Sequence, residues 1–156
     1  MIITFVGHGT LYHPDHVLEK VKATILEHID PDGVTVFYCG GYGAFDTLCA
    51  RACRLIKRQI ANCSVLFITP YLTEIQQKKI QFLMDAQQYD GTLYPPLEQL
   101  PPRLAIRKRN EWMIDKADLI IAYVEHAYGG AYTTLEYARQ KKKPIVNIAE
   151  QEERRG

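Results

Sequence analysis

The sequence predicts an α/β fold, a three-layer sandwich in which helices flank both faces of a mostly parallel sheet. Five short apolar runs lack strict alternation of apolar and polar residues, which is typical of strands buried on both faces. Segments with helical periodicity lie between these runs, so strands and helices alternate along the chain. Because β-α-β crossovers are right-handed, this alternation places helices on both faces of the sheet.

The predicted elements follow one another in a regular order. Strands are predicted at residues 2–6, 34–39, 64–69, 118–124 and 144–148. Helices are predicted at residues 14–29, 45–60, 73–88 and 104–116, and a further helix begins after the glycine pair at 129–130. Residues 89–96 form either a short strand or an ordered loop near the site. We expect one domain over residues 1–150 and a polar tail at residues 151–156.

The composition narrows the class of protein. A chain of 156 residues with 47% apolar content is consistent with one compact domain. A net charge of +1 argues against nucleic-acid binding through bulk charge. The longest apolar runs are about seven residues, too short to cross a bilayer, so no membrane partner is expected. The N-terminus has no secretory signal and the cysteines lack C-x-x-C spacing, so we expect a cytoplasmic protein with reduced thiols, no metal site and no cofactor.

Three glycine-rich loops follow the predicted strands, at residues 7–10, 40–46 and 129–136. In an open α/β sheet, ligands bind at the carboxyl ends of the strands, where helix N-termini converge. Free backbone N–H groups at such a helix start suit a phosphate, although glycine also serves simply to make a tight turn. The candidate ligand-binding residues are Gly7, His8, Gly9, Thr10, Gly40, Gly41, Tyr42, Gly43, Asp46, Asn110, Gly129, Gly130, Tyr132, Thr133 and Thr134.

The third loop and the segment before it resemble a known family. The LOG phosphoribohydrolases have the pattern Arg-Lys-x-x-Met, a strand, and then Pro-Gly-Gly-x-Gly-Thr-x-x-Glu. This chain resembles that pattern through Arg109 and Met113, the strand opened by Asp118, and the loop ending in Glu136. The chain departs from this pattern at Tyr128, in place of the proline, and at Tyr132, in place of the third glycine. The second loop resembles the corresponding turn of the wider SLOG superfamily of DprA-like and LOG-like domains through Gly40, Gly41, Phe45 and Asp46.

The resemblance implies a Rossmann-like nucleotide-binding domain and a reaction. LOG enzymes hydrolyse the N-glycosidic bond of a nucleoside 5′-monophosphate through an oxocarbenium-like state, which a carboxylate stabilises. Glu136 and Arg109 are then the catalytic residues, with Thr133 at the phosphate. Asp118 to Pro144 also resembles nucleoside 2-deoxyribosyltransferases, which act on the same type of bond. Each of these two residues also has a non-catalytic explanation. Glu136 could be a first-turn carboxylate that only interacts favourably with the helix dipole, and Arg109 could be a solvated charge on its helix.

Two other functions remain open at the level of sequence. One is a non-catalytic nucleotide sensor for an ADP-ribose-like or cyclic nucleotide ligand, and the other is a DNA-associated module of the DprA type. The cluster formed by Arg103, Arg107, Lys108 and Arg109 could face nucleic acid, but the net charge makes nucleic acid the less expected partner. We also expect a homodimer, formed through the helix around Trp112 and Met113.

Overall fold

A computed structural model describes residues 1–153 of the chain, with side chains described through residue 150. The elements, in chain order, are β1 Ile2–Gly7, α1 Pro14–His28, β2 Thr35–Cys39, α2 Gly43–Gln59, β3 Cys63–Ile68, α3 Glu74–Asp85, β4 Gly91–Leu93, a 3₁₀ turn Pro102–Leu104, α4 Ala105–Lys116, β5 Leu119–Tyr123, α5 Gly130–Gln140, β6 Ile145–Asn147 and α6 Ile148–Glu153.

The sheet is parallel throughout and has the strand order β4-β3-β2-β1-β5-β6. Strands β2 to β4 extend the sheet to one side of β1, whereas β5 and β6 extend it to the other. The direction of strand addition therefore reverses between β1 and β5. In an α/β sheet this reversal opens a crevice at the carboxyl ends of the two strands, where ligands bind. The predicted fold class is confirmed.

Both faces of the central strands are covered, which explains why their sequences lack alternation. On β1, Ile3 and Phe5 pack in the core shared with α1 and α2, while Val6 packs in the core shared with α4 and α5. Strand β5 divides in the same way, with Ile121 facing the first core and Ile120 the second. The four cysteines lie buried as free thiols, all of them in the first core.

Two peripheral segments concern the expected dimer face and the expected polar tail. Trp112 is half-buried and stacks on Tyr38 with ring centroids 5.6 Å apart, while Met113 is buried against the same strand, so only part of the expected dimer face is exposed and the homodimer stays a prediction. The chain after β6 continues as α6 to residue 153, within the expected polar tail, and residues 154–156 of that tail lie outside the described part. None of the described helices is long and apolar enough to cross a membrane.

Candidate functional site

A pocket of about 180 Å³ opens at the carboxyl end of β1, beside the crevice between β1 and β5. Each of the three glycine-rich loops contributes to its wall, and α4 supplies the remaining polar side chains. The pocket therefore brings together residues that are far apart in sequence. Its lining includes seven of the predicted site residues, Gly7, Tyr42, Asp46, Arg109, Asn110, Gly130 and Thr134.

Gly7 in the first loop and Gly43 in the second are required by packing, whereas a Cβ on Gly9 would meet no atom within 4 Å. A Cβ on Gly7 would lie 2.2 Å from the ring of Phe45, so only glycine allows this ring to cover the end of β1. Gly43 has φ +84°, a Cβ on it would lie 2.9 Å from the α-carbon of Gly9, and the Gly9 carbonyl accepts the Ala44 N–H at 3.1 Å. The first two loops thus lie directly on each other, and at Gly7 and Gly43 the simple turn-and-packing explanation holds.

In the third loop both glycines face open space. Gly129 has φ +90° and takes the left-handed conformation that the turn into α5 needs. A Cβ on Gly129 or Gly130 would meet no atom within 4 Å. The helix already begins at Gly130, so Tyr132 is helical and needs no positive φ despite standing in place of a family glycine. The N-terminus of α5 therefore remains accessible from the pocket.

Glu136 lies in the second turn of α5, further from the helix start than expected. Its carboxylate forms an ion pair with Arg139 and lines a separate cavity of about 260 Å³ together with Tyr132 and Thr133. The sequence pattern assigns Glu136 and Arg109 to one site, whereas in the structure they line different cavities that have Thr134 in common.

Arg109 is the most deeply buried charged side chain of the site, with 1% exposure. Its Nη1 donates to the carbonyl oxygens of Gly40 at 2.9 Å and Ile68 at 2.7 Å, and its Nε donates to Asn110 Oδ1 at 2.9 Å. These bonds hold the guanidinium at the ends of β2 and β3. Arg109 is therefore not a solvated helix charge.

The second terminal nitrogen of Arg109, Nη2, is not engaged in the same way. Within the described part of the chain, Nη2 has no hydrogen bond and no ion pair joins Arg109 to Asp46. Both Nη2 and Asp46 Oδ2 lie 3.2 Å from the point that a Cβ on Gly40 would occupy. Burial lowers the pKa of Arg109 from its ordinary value, and the nearby Asp46 acts in the opposite direction. The pocket thus contains a buried cation with unused donors.

Asp46 is the carboxylate that lines this pocket. Burial raises the pKa of Asp46 to about 6, although the Tyr42 N–H, which donates to Oδ2 at 3.1 Å, and the positive charge of Arg109 both lower it. The sequence identified Asp46 only as a binding residue. A carboxyl group with a pKa near 6 can exchange a proton near neutral pH, so Asp46 is also suited to acid–base chemistry.

His8 joins the first loop to the segment between β5 and the third loop. The Glu125 N–H donates to His8 Nε2 at 2.9 Å, and the His8 ring stacks on His126 with centroids 3.9 Å apart. Tyr128 stacks on the other side of this histidine pair, 3.9 Å from His126. Burial lowers the pKa of His8, the neighbouring His126 lowers it further, and Glu125 raises it. His8 is outside the pocket lining, so its structural role is to hold the loop that leads to α5.

The remaining predicted site residues are not in the lining of this pocket: Gly9, Thr10, Gly40, Gly41, Gly43, Gly129, Tyr132 and Thr133. The pocket also has an apolar wall that was not predicted as part of the site, and it includes Ile106, Met113 and Ile114 of α4. The sequence contained a pattern that predicts part of this wall, because Arg109 and Met113 are four residues apart and therefore share one face of this helix.

The basic cluster considered for nucleic acid does not form an open positive surface. Arg107 and Lys108 both form ion pairs with Glu111, and Arg109 is buried. Of the four residues in that cluster, Arg103 is the exposed cation without such a pairing in the described structure. The α4 surface therefore offers little uncompensated positive charge.

Comparison with known proteins supports the fold. No protein-family model matches the chain, and no curated protein matches it. Among solved structures, the chain is similar to the X-ray structure of DNA processing protein A (DprA) from Streptococcus pneumoniae, with a TM-score of 0.60 and 16% sequence identity. The similarity covers 92% of this chain and 48% of that one, so the chain spans about half the length of this neighbour. The domain therefore has a DprA-like, Rossmann-like α/β fold.

Proposed function

We propose that this domain binds a nucleotide or a nucleotide-derived ligand, with a phosphate group in the pocket beside β1. The observation that supports this most strongly is the buried guanidinium of Arg109, which has unused donors and no ion pair among the described residues. A buried charge is costly unless an opposite charge and hydrogen bonds compensate it, and a phosphate oxygen supplies both. The accessible N-terminus of α5 at Gly130 adds backbone donors and a favourable helix dipole.

The walls of the pocket favour an organic phosphate over phosphate alone, and its size limits how much of the ligand it encloses. Its volume of about 180 Å³ is smaller than that of common ligand pockets, which begin at roughly 300 Å³. It would enclose a phosphate and a sugar and leave a base at the mouth. Ile106 and Met113 provide an apolar wall, and Tyr42 is 38% exposed and offers an aromatic ring. This combination suits the sugar and base of a nucleotide.

Hydrolysis of the N-glycosidic bond is the reaction that we propose for a bound nucleoside 5′-monophosphate. Such a reaction needs a carboxylate near the anomeric carbon, either to stabilise positive charge or to activate water. Asp46 lines the same pocket as Arg109, whereas Glu136 lines another. We therefore place the catalytic carboxylate at Asp46 and retain Glu136, the residue implied by the LOG resemblance, as the competing assignment.

The decisive experiment combines binding with turnover. Thermal unfolding is first screened against nucleoside mono-, di- and cyclic phosphates and ADP-ribose, because a ligand at about 100 times its Kd adds roughly 2.7 kcal/mol of stability. Base release from the best monophosphate is then followed by chromatography for the wild type, Asp46→Asn and Glu136→Gln. We expect a loss of about 10²-fold or more in Asp46→Asn and little change in Glu136→Gln. The reverse pattern would assign the catalysis to Glu136.

A nucleotide sensor is the outcome if the wild type binds a ligand tightly and releases no base from any ribonucleotide or deoxyribonucleotide. A DNA-associated module is the second candidate function, because the structural neighbour is named a DNA processing protein. In that case a single-stranded oligonucleotide would stabilise the domain more than any mononucleotide in the same screen. The absence of stabilisation by every nucleotide and oligonucleotide would contradict both candidates.

A further inference from the structure

A second concave region lies along the outer side of α2, away from the pocket described above. One cavity of about 490 Å³ lies between the start of α1 and the first half of α2. Another, of about 390 Å³, lies between the second half of α2 and the segment before β4. Arg54 lines both cavities, so they meet at its side chain. We call this pair of cavities the α2 groove.

Four cations lie along the α2 groove. Arg51, Arg54 and Arg58 follow one face of the helix over about 10 Å, and Lys57 lies beside them. Two of these cations already have partners, because Lys57 forms an ion pair with Asp90 and Arg54 donates to the Gln88 carbonyl at 3.2 Å.

Arg51 and Arg58 are exposed and have neither a hydrogen bond nor an ion pair within the described part of the chain. Asp15, at the opposite side of the first cavity, and Asp90 are the carboxylates of the lining. The groove therefore has a net positive charge of two, although the whole chain is nearly neutral.

The groove also offers apolar and aromatic surface. The first cavity is lined by Leu11, Pro14, Leu18 and Leu48, and the second contains Tyr89, whose ring packs against Phe67. An extended row of cations beside apolar and aromatic surface matches a ligand whose phosphates and bases alternate. A duplex would present phosphates without using the apolar cavities, and an acidic peptide would not need them.

We propose that the α2 groove binds single-stranded nucleic acid, with phosphates on Arg51, Arg54 and Arg58 and bases against the apolar lining. Guanidinium groups hold phosphate oxygens through paired hydrogen bonds, which suits the three arginines. The groove begins at Gly43 and Ala44 of the second glycine-rich loop, so a strand in it would run from the edge of the sheet that carries the pocket. This inference deepens the DNA-associated candidate and does not depend on nucleotide binding in the pocket.

The test uses fluorescence anisotropy with a short labelled oligothymidylate at several salt concentrations. The groove variant carries Arg51→Glu and Arg58→Glu, both at exposed positions without partners in the described residues. The control variant carries Arg103→Glu and Lys142→Glu, which change the net charge equally at exposed positions elsewhere. We expect the wild type to bind, and the groove variant to lose about tenfold or more in affinity together with about two units of the salt slope, one for each phosphate contact.

The control variant should lose affinity much less than the groove variant. The proposal is overturned if both variants weaken binding equally, if the wild type does not bind oligothymidylate at low salt, or if polyglutamate displaces the oligonucleotide at equal charge concentration. Unfolding curves of both variants, and of Arg51→Gln with Arg58→Gln, check that the fold is retained. Stabilisation by mononucleotides should be the same in all variants, so failure of the groove proposal is distinguishable from failure of the pocket proposal.

Discussion

Replacement of Arg109 by methionine tests the central feature of the site. Methionine keeps much of the apolar stem but removes the guanidinium, which leaves the carbonyl oxygens of Gly40 and Ile68 buried without their side-chain donor. Each buried acceptor that loses its partner costs about 1–3 kcal/mol. Removal of a buried charge returns part of this cost, because the cation itself is desolvated. We therefore expect the free energy of unfolding to fall by about 2–4 kcal/mol.

Urea unfolding at equilibrium measures this change, with Arg107→Met as the matched control on the same helix. Arg107 is 67% exposed and pairs with Glu111, so its replacement should change the free energy of unfolding by less than about 0.5 kcal/mol. Saturating inorganic phosphate provides a second measurement. We expect phosphate to stabilise the wild type and the Arg107→Met variant, but not the Arg109→Met variant.

Two results would refute this reasoning. If Arg109→Met and Arg107→Met unfold with the same free energy, the hydrogen bonds of Arg109 contribute nothing and the side chain is in effect solvated. If Arg109→Met is destabilised but phosphate stabilises it as much as the wild type, Arg109 is structural and the anion binds elsewhere. The first result contradicts the conclusion that buried hydrogen bonds of Arg109 stabilise the fold, and the second contradicts the proposal that Arg109 binds the phosphate.

Three further predictions concern titration and assembly. The folded-state pKa of Asp46, about 6, lies above its ordinary 3.8, so its contribution to stability is fully present below pH 3.8 and is lost as the pH rises through about 6. In urea unfolding, Asp46→Asn should therefore be more stable than the wild type by up to about 3 kcal/mol at pH 7.5 and equally stable at pH 3.5. A variant that is less stable than the wild type at both pH values would contradict this prediction. The pKa of His8 is lowered, so its effect on stability has the opposite sign: its contribution is present above pH 6.5 and is lost as the pH falls through the folded-state pKa. The His8→Phe variant keeps the ring stacking but cannot accept the Glu125 N–H. On acidification, the Tm of the wild type should therefore fall more than the Tm of this variant. The homodimer is tested by light scattering at micromolar concentration. The probes are Ile75→Lys and Phe82→Lys, because these positions carry the most exposed apolar side chains on α3. An unchanged dimer in both variants would place the interface elsewhere.

The sequence predicted most of the fold because the apolar pattern of a doubly covered strand is distinctive. Strand β4 was uncertain because it has three residues, pairs with β3 alone and has two exposed positions. Helix α6 was missed because its start depends on tertiary contacts. Ile148 is fully buried, and the Asn147 side chain accepts the Ala149 N–H at 3.3 Å while it also bonds to Val124, the residue that follows β5.

The site could be predicted only in part. The local sequence specifies where the loops lie, but it does not specify how deeply each side chain of the site is buried. Glycine after an apolar run correctly marked the three loops at one edge of the sheet. The raised pKa of Asp46 depends on what surrounds its carboxyl group, which no local pattern specifies. The separation of Glu136 from the pocket depends on where α5 begins, since each residue added to a helix turns the next side chain by about 100°.

The glycines of the site divide into two groups, and this division gives a final prediction. Gly7→Ala places a Cβ 2.2 Å from the ring of Phe45, so the ring must move and stability should fall by about 1–3 kcal/mol through overpacking. Gly130→Ala adds a Cβ in open space at the first position of α5, where alanine should be neutral or stabilising by up to about 1 kcal/mol.

The same Gly130→Ala substitution should weaken binding of the best-stabilising nucleotide by about tenfold, since the new methyl group fills space next to the donors proposed for the phosphate. Calorimetric titration measures the affinity, and thermal unfolding without ligand measures the stability. A variant that is as stable as the wild type and binds the nucleotide equally well would show that the phosphate does not lie at the start of α5. A variant that loses both stability and binding would contradict the open space around Gly130. Only the combination of unchanged or raised stability with weakened binding agrees with a helix start kept bare for a ligand.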